Sequence, residues 1–463
     1  GDQERRETDD RHTFAYTSAS AGVSYRLLED TTFRLSLGHS GIWGSDQIGG
    51  TDAFGNFFSV YDLYVNWQAV ESPFFTFDVR FGRQDYRIGG ATRDFFLRDN
   101  IDGLVLIADF GIAGRLRLIP FDLFASMGRP ETVHFLNWHA GRDLVQNMRG
   151  QTNTIRFGGV YENTEIIEGL EVRGFGFYAA LGGAGTGADR SQEGTLANVA
   201  DNDFAWMAGT RLGYFFDTGV MRIGGYGEYA YSGGIDRKEI NLGIHDVDIN
   251  GSAFGGGAVA EFLLGTVQLE SNLQYFYADG PEYDQDGLQF NHGFVSFKGN
   301  YAGGLNQARY AGWRPSAHLD RNGIRASEHD LRRSSGTQVI HAGMGAGIVD
   351  LLKLDLGIWH FMDTGSTLLH PDDVDVFGDR APFGITRDDL IAQERLGRSL
   401  GTELNANLTF FANTALSFYT GAGIFMPGEF YEIEVSRQAG SARGSEDNLQ
   451  NFWAIAGGAT VIF

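Results

Sequence analysis

Along most of this chain, apolar and polar side chains alternate at every second residue, in segments far longer than an ordinary strand. In 32–43, Phe33, Leu35 and Leu37 face away from Arg34 and Ser36, and in 74–82 Phe75, Phe77, Val79 and Phe81 oppose Thr76, Asp78 and Arg80. In 266–278, Val267, Leu269, Leu273, Tyr275 and Tyr277 oppose Gln268, Glu270, Asn272 and Gln274; in 400–411, Leu404, Ala406, Leu408 and Phe410 oppose Glu403, Asn405, Asn407 and Thr409. A period of two means strands. Twelve residues at about 3.3 Å each, tilted near 40°, rise about 30 Å, which spans an apolar band about 25 Å tall. The polar faces carry charges on strand after strand. A dry sandwich core excludes such charges, whereas a water-filled lumen accommodates them.

Seventeen such segments are legible, at 13–25, 32–43, 57–69, 74–84, 101–110, 115–126, 152–161, 170–182, 203–216, 220–232, 251–265, 266–278, 337–349, 351–362, 400–411, 415–425 and 449–463. Short links (71–73, 111–114, 217–219, 265–266, 350, 412–414) alternate with long ones (44–56, 85–100, 127–151, 183–202, 233–250, 279–336, 363–398, 426–448). Short periplasmic turns and long outside loops are the outer-membrane rhythm, and single-chain bacterial barrels have an even strand number. The expected fold is therefore all-β: one transmembrane antiparallel β-barrel domain over 1–463. It has 18 strands, the first supplied by residues 1–12, with 16 as the alternative. The stretch 289–299 looks like a strand but is taken into one long loop, 279–336, that folds into or over the pore.

Composition narrows the function classes. The net charge of -23 leaves no basic footprint for nucleic acid. The absence of cysteine excludes disulfide scaffolds and thiolate metal sites. No apolar run reaches the ~18 residues of a membrane helix, and the start at Gly1 without an apolar leader reads as a mature or trimmed form. Of 36 basic residues only Lys238, Lys298 and Lys353 are lysine, which directs attention to arginines along a pore wall. Outer-membrane lipid and lipopolysaccharide are the expected surroundings, with periplasmic scaffold or secretion partners as a further expectation and no cofactor.

The chain ends in an alternating strand, with Trp453, Ile455, Ala459, Val461 and Phe463 on one face. A terminal phenylalanine there resembles the sorting signal of bacterial outer-membrane proteins. Two stretches go further. Residues 80–84 read RFGRQ, followed by a polar loop and Asn100-Ile101-Asp102-Gly103; residues 401–428 hold a Glu403-Leu404 strand, a short turn and a strand closing in Pro427-Gly428. Both resemble the alginate-export family of outer-membrane porins and together cover under a tenth of the chain. The resemblance implies an 18-stranded barrel acting as a passive conduit, possessed in the founding member of an arginine-rich constriction for the polyuronate alginate. Here the inward residues are of mixed sign: Arg34, Arg80, Arg117, Arg156, Arg173, Arg211 and Arg222 stand beside Asp62, Asp78, Glu171, Glu228, Glu261, Glu270, Asp355 and Glu403. Arg83, beside the RFGRQ motif, joins the pore-lining candidates.

Each candidate has a functional and a structural reading. Arginines guide an anionic solute, because a planar guanidinium binds carboxylate bidentately, or they form a lattice that satisfies wall charges. The basic loop with Arg309, Arg314, Arg321, Arg325, Arg332 and Arg333 is a gate or selectivity filter, or it bridges lipopolysaccharide phosphates. Asp246, Asp248 and Asn250 match the first oxygens of a calcium loop, but the twelfth position is Gly257; an Asx-rich turn is the stronger reading. The acidic groups at 279–286 and 372–375 are weaker cation candidates still. Gly183, Gly185 and Gly187 imitate a phosphate loop without a following helix, and His134 and His139 lack zinc spacing. No serine is marked as a nucleophile. The leading expectation is an outer-membrane channel of the alginate-export type, passing hydrophilic or anionic solutes or a secreted polysaccharide. The alternatives are a loop-sealed structural barrel anchoring a surface or periplasmic complex and, behind it, an outer-membrane enzyme.

Overall fold

The computed structural model describes residues 15–43, 57–87, 98–122, 155–184, 200–240, 243–280, 282–283, 289–291, 293–296, 317–318, 337–364, 399–428 and 451–461. Seventeen long strands account for nearly all of them. The first six are β1 (Ala15–Leu28), β2 (Thr31–Trp43), β3 (Phe57–Ser72), β4 (Phe75–Arg87), β5 (Arg98–Asp109) and β6 (Arg115–Asp122). Then follow β7 (Ile155–Asn163), β8 (Leu170–Ala184), β9 (Ala200–Asp217), β10 (Met221–Ile240), β11 (Gly243–Leu264) and β12 (Val267–Ala278). Four short pieces lie between β12 and the next long strand: β13 (Glu282–Tyr283), β14 (Gln289–Asn291), β15 (Val295–Ser296) and β16 (Ala317–His318). The remaining long strands are β17 (Thr337–Ile348), β18 (Leu352–Asp363), β19 (Ser399–Asn413), β20 (Leu416–Pro427) and β21 (Phe452–Val461).

Every long strand pairs antiparallel with its neighbour in sequence, β12 pairing onward with β17, so one meander runs from β1 to β21. The fold is an all-β antiparallel barrel architecture, and its long strands coincide with the seventeen alternating segments. The sixteen-strand alternative is exceeded. The expected additional strand at 1–12 lies outside the described residues, as do Phe463 and the six candidate gate arginines.

Register fixes which residues share a face. Outward positions carry Leu212, Tyr214 and Phe216 on β9, Leu273 on β12, Met344 on β17, and Leu354, Leu356 and Ile358 on β18, all well exposed. In a soluble protein so wide an exposed apolar surface is a liability; around a barrel it is the face presented to lipid. No described helix is long and apolar enough to cross a membrane; the exposed apolar face is carried by strands.

The short connections are built from residues that close turns with their own side chains. Asn413 Oδ1 accepts from the amides of Ala415 and Leu416 at 2.8 and 2.9 Å. Asp217 does the same for Gly219 at 2.7 Å, Ser72 Oγ for Phe75 at 3.0 Å, and Asn163 for Glu165 and Ile166. Such Asx and Ser turns satisfy amides that a two- or three-residue link leaves without ladder partners. One expectation is corrected here. The stretch 233–250, read as a long loop, belongs mostly to the hairpin of β10 and β11, with strand pairing from Met221↔Phe262 up to Ile240↔Gly243. At twenty residues and a tilt near 40° this hairpin rises about 50 Å, roughly twice the height of the membrane band. Its glycines and charges masked the alternation.

Candidate functional site

The inner wall divides into two zones along the barrel axis. Near the short turns it is charged and half-exposed. Arg115, Arg117 and Arg173, from β6 and β8, converge on Glu162 of β7: Arg117 Nη2 lies 3.2 Å and Arg173 Nη2 3.5 Å from Oε2, and Arg115 Nη1 lies 4.0 Å from Oε1. The register explains the convergence, since Arg115 and Arg173 both stand directly opposite Glu162 on its two neighbouring strands. Further along the wall Arg222 meets Glu261 at 3.5 Å, and Lys353 bridges Glu270 at 3.0 Å and Asp355 at 3.3 Å. On the other side Arg34 meets Asp62 at 3.3 Å. Arg80 donates to Asn66 Oδ1 at 3.1 Å and lies over the Tyr64 ring. Asp78 and Glu171 share this half-exposed zone.

Toward the long loops the wall closes. Most inward residues there are apolar and buried, among them Ile101 and Val105 on β5, Ile119 on β6, Phe177 and Ala179 on β8, Met207 on β9, Phe276 on β12, Val339 on β17, Trp359 and Phe361 on β18, and Phe425 on β20; buried Gln84, Ser232, Gln274 and His341 are the polar ones among them. These side chains form one contiguous cluster that also takes in Phe294 and Val295, which belong to no long strand. His341 stacks on Trp359 with ring centroids 3.5 Å apart. Between the zones sit buried charges. Arg156 Nη2 lies 2.6 Å from Asp122 Oδ2, at 0% and 1% side-chain exposure; Asp122 Oδ1 also accepts from the Asp102 amide at 2.9 Å. Arg211 reaches Glu228 at 3.4 Å and lies 3.7 Å over the Tyr226 ring. Glu403 is fully buried on the same face.

Of the pore-lining candidates, Arg34, Asp62, Asp78, Arg80, Arg117, Arg156, Arg173, Arg211, Arg222, Glu261, Glu270, Asp355 and Glu403 all stand on the inward face, as Glu171 and Glu228 do. Arg83 is a correction. It sits one residue out of phase between Gly82 and the buried, inward Gln84, opposite the exposed Leu63, and pairs with Asp102 at 3.2 Å on the outer face. It was chosen from a motif and not from the alternation. The stretch 246–250, read as an Asx-rich turn or, more weakly, a calcium loop, is neither loop nor turn: it lies within the extended strand β11. Among the described residues no group of three or more acidic or histidine side chains is placed to hold a metal. Gly183 is part of β8, opposite Asp201 of β9.

Arg115, Glu162 and Asp122 were missed, although the alternation of 115–118 (RLRL) carried a signal. The apolar zone was missed too. Its sign is that both phases turn apolar where a strand approaches its long loop, as in 175–180 (FGFYAA) and 274–278 (QYFYA).

No family model and no curated protein matches the chain. Solved structures do. The outer membrane protein OprD from Pseudomonas aeruginosa is 11% identical with a TM-score of 0.43, covering 97% of this chain and 91% of its own. Wzi of Escherichia coli, an outer membrane carbohydrate-binding β-barrel involved in capsule assembly, is 11% identical with a TM-score of 0.42, over 97% and 83%. An anion-selective porin from Comamonas acidovorans is 10% identical with a TM-score of 0.31, over 89% and 90%. At these values the fold rests on this chain's own strand register.

Proposed function

We propose that the chain is an integral channel of the bacterial outer membrane, passing hydrophilic solutes through a lumen that is closed on its loop side in this conformation. The observation that carries the reading is the half-exposed ion-pair lattice around the turn-side half of the inner wall. Charges on an inward face are tolerated where water reaches them, and a wall kept wet over half its depth serves a conduit. Arg115 is held chiefly by Asp109, at 2.7 Å, which leaves Arg117 and Arg173 on the single carboxylate of Glu162, a local positive surplus of one. Across the barrel Glu270 and Asp355 share the single cation Lys353. A passing anion is drawn to the arginine arc and held off the acidic one.

Kinship with the alginate-export family, resting on RFGRQ and the Glu-Leu and Pro-Gly strands, extends the proposal to a secreted polysaccharide. Its uronate carboxylates suit guanidinium forks. Lipopolysaccharide is the surrounding lipid in this reading, and no chemical turnover is assigned. Planar-bilayer recordings on the purified chain and on a chain lacking 281–336 test it. Conductance from either, increased by the deletion, is expected; silence from both would sink the channel. A second reading is favoured by the buried apolar zone: a sealed structural barrel anchoring a periplasmic or surface complex. It predicts that silence, together with stable copurifying proteins.

A further inference from the structure

The loop-side seal contains one segment whose attachment to the wall is resolved bond by bond. After β12 the chain turns back at Asp279, whose amide donates to Ser252 O at 2.9 Å and whose Oδ2 accepts from the Ser252 amide at 2.6 Å. It then returns as β14, which adds parallel to β11 at Asp248↔Asn291, above the level where β12 ends. Asn291 clasps β11 at one residue with two bonds: its Oδ1 accepts from the Asn250 amide at 3.1 Å and its Nδ2 donates to Asn250 O at 3.0 Å.

Gly293, Phe294 and Val295 then cross the inner face. Gly251 and Ser232 stand opposite one another on β11 and β10, and both project into the lumen. The Val295 amide donates to Ser232 Oγ at 2.9 Å. A Cβ placed on Gly251 would stand 2.1 Å from Phe294 N and 2.2 Å from Gly293 C, so only glycine leaves room for the crossing backbone. Phe294 and Val295 are buried, with Ile249, Ala253 and Ala278 in the same cluster.

We infer that Asn291 and Gly293–Val295 form the latch of the seal: clasped to β10 and β11, they hold the loop side of the lumen shut, and their release opens it. The inference rests on the channel reading and deepens it by assigning its regulation. The segment has two alternatives, wall-bound and released, and their balance is set by a few hydrogen bonds, a glycine notch and one aromatic anchor. Changing any of these shifts the open population without touching the charged wall.

Liposome swelling with a small neutral sugar reads the open population. Asn291→Ala and Gly251→Val, each folded by its heat-modifiable gel mobility, are expected to raise the swelling rate about tenfold, the scale of one or two lost hydrogen bonds to a buried partner. Because the chain has no cysteine, Ser232→Cys with Val295→Cys introduces a single possible bridge. Oxidising that pair in the Asn291→Ala background should return swelling to the wild-type rate, and reduction should release it again. Should Gly251→Val fail to fold, the cysteine pair still decides. If the chain lacking 281–336 admits sugar while Asn291→Ala stays as closed as wild type, or the oxidised pair swells as fast as the reduced, the latch is wrong and the channel stands. If the deletion admits nothing, the channel reading itself fails.

Discussion

Arg156 and Asp122 show what a wall charge requires when water is excluded. Both side chains are buried, the guanidinium is held at 2.6 Å, and the second carboxylate oxygen is occupied by the Asp102 amide. Removing one partner strands a buried charge, so Asp122→Ala should destabilise the barrel by about 3–5 kcal/mol, measured by urea unfolding in lipid. Replacing both residues by apolar groups should recover much of that loss. Arg34, half-exposed beside Asp62, works in a wetter regime, and Arg34→Ala should change stability by less than about 1 kcal/mol. The RFGRQ arginines separate more sharply. Arg80→Glu reverses a charge on the lumen wall and should shift permeability toward cations. Arg83→Glu alters a largely buried position on the outward phase, beside Asp102, and should leave the permeability ratio at the wild-type value. Reversal potentials across a salt gradient read both, and an equal shift from the two would contradict the register. Alternation placed Arg80 correctly, whereas the motif alone misled for Arg83, because a motif carries no phase.

The turns are where individual elements are most exposed to substitution. Asn413→Ala removes the acceptor of two backbone amides in the link between β19 and β20, for an expected loss of about 1 kcal/mol. Asp350, between β17 and β18, has φ of 60°, a left-handed conformation that favours glycine. Asp350→Gly should therefore be neutral to slightly stabilising, unlike most loop substitutions, and chemical denaturation detects the sign. The first turn adds a pH dependence. Hydrogen bonds to Asp30 from Thr31 Oγ1 and from Trp67 Nε1, each 3.0 Å, hold its carboxyl below the ordinary carboxylate range. A depressed carboxylate supports the fold above its unfolded pKa and loses that support as pH falls through the folded value. Fraying of the β1–β2 turn, followed by Trp67 fluorescence, should thus begin only below about pH 4, and Asp30→Asn should remove the dependence. Among the elements, periodicity located nearly every strand. It failed on the upper part of the β10–β11 hairpin, where glycines and charges replace the outward apolar residues because no lipid lies there.

For the molecule as a whole, the polar phase of the strands announced a wet wall, and the structure confines that wall to the turn-side half. The seal was illegible as a seal because its residues come from a dozen long strands, each contributing one to three apolar positions to a layer that exists only after closure. The arginine cluster was half legible for a related reason. Alternation said that Arg117 and Arg173 face inward, but only the register brings them to Glu162. At this scale Arg115→Gln, Arg117→Gln and Arg173→Gln together should lower the anion-to-cation permeability ratio several-fold at low salt. The effect should shrink in molar salt, where the screening length falls to about 3 Å. One geometric fact outlasts these tests. The shelf that carries Asn291 and Phe294 is the same β10–β11 ribbon that stands clear of the lipid band. One hydrogen-bonded ribbon therefore runs from its tip at Ile240 and Gly243 down to the shelf, so that in the proposed channel a load placed on the tip would be carried along backbone pairing to the latch.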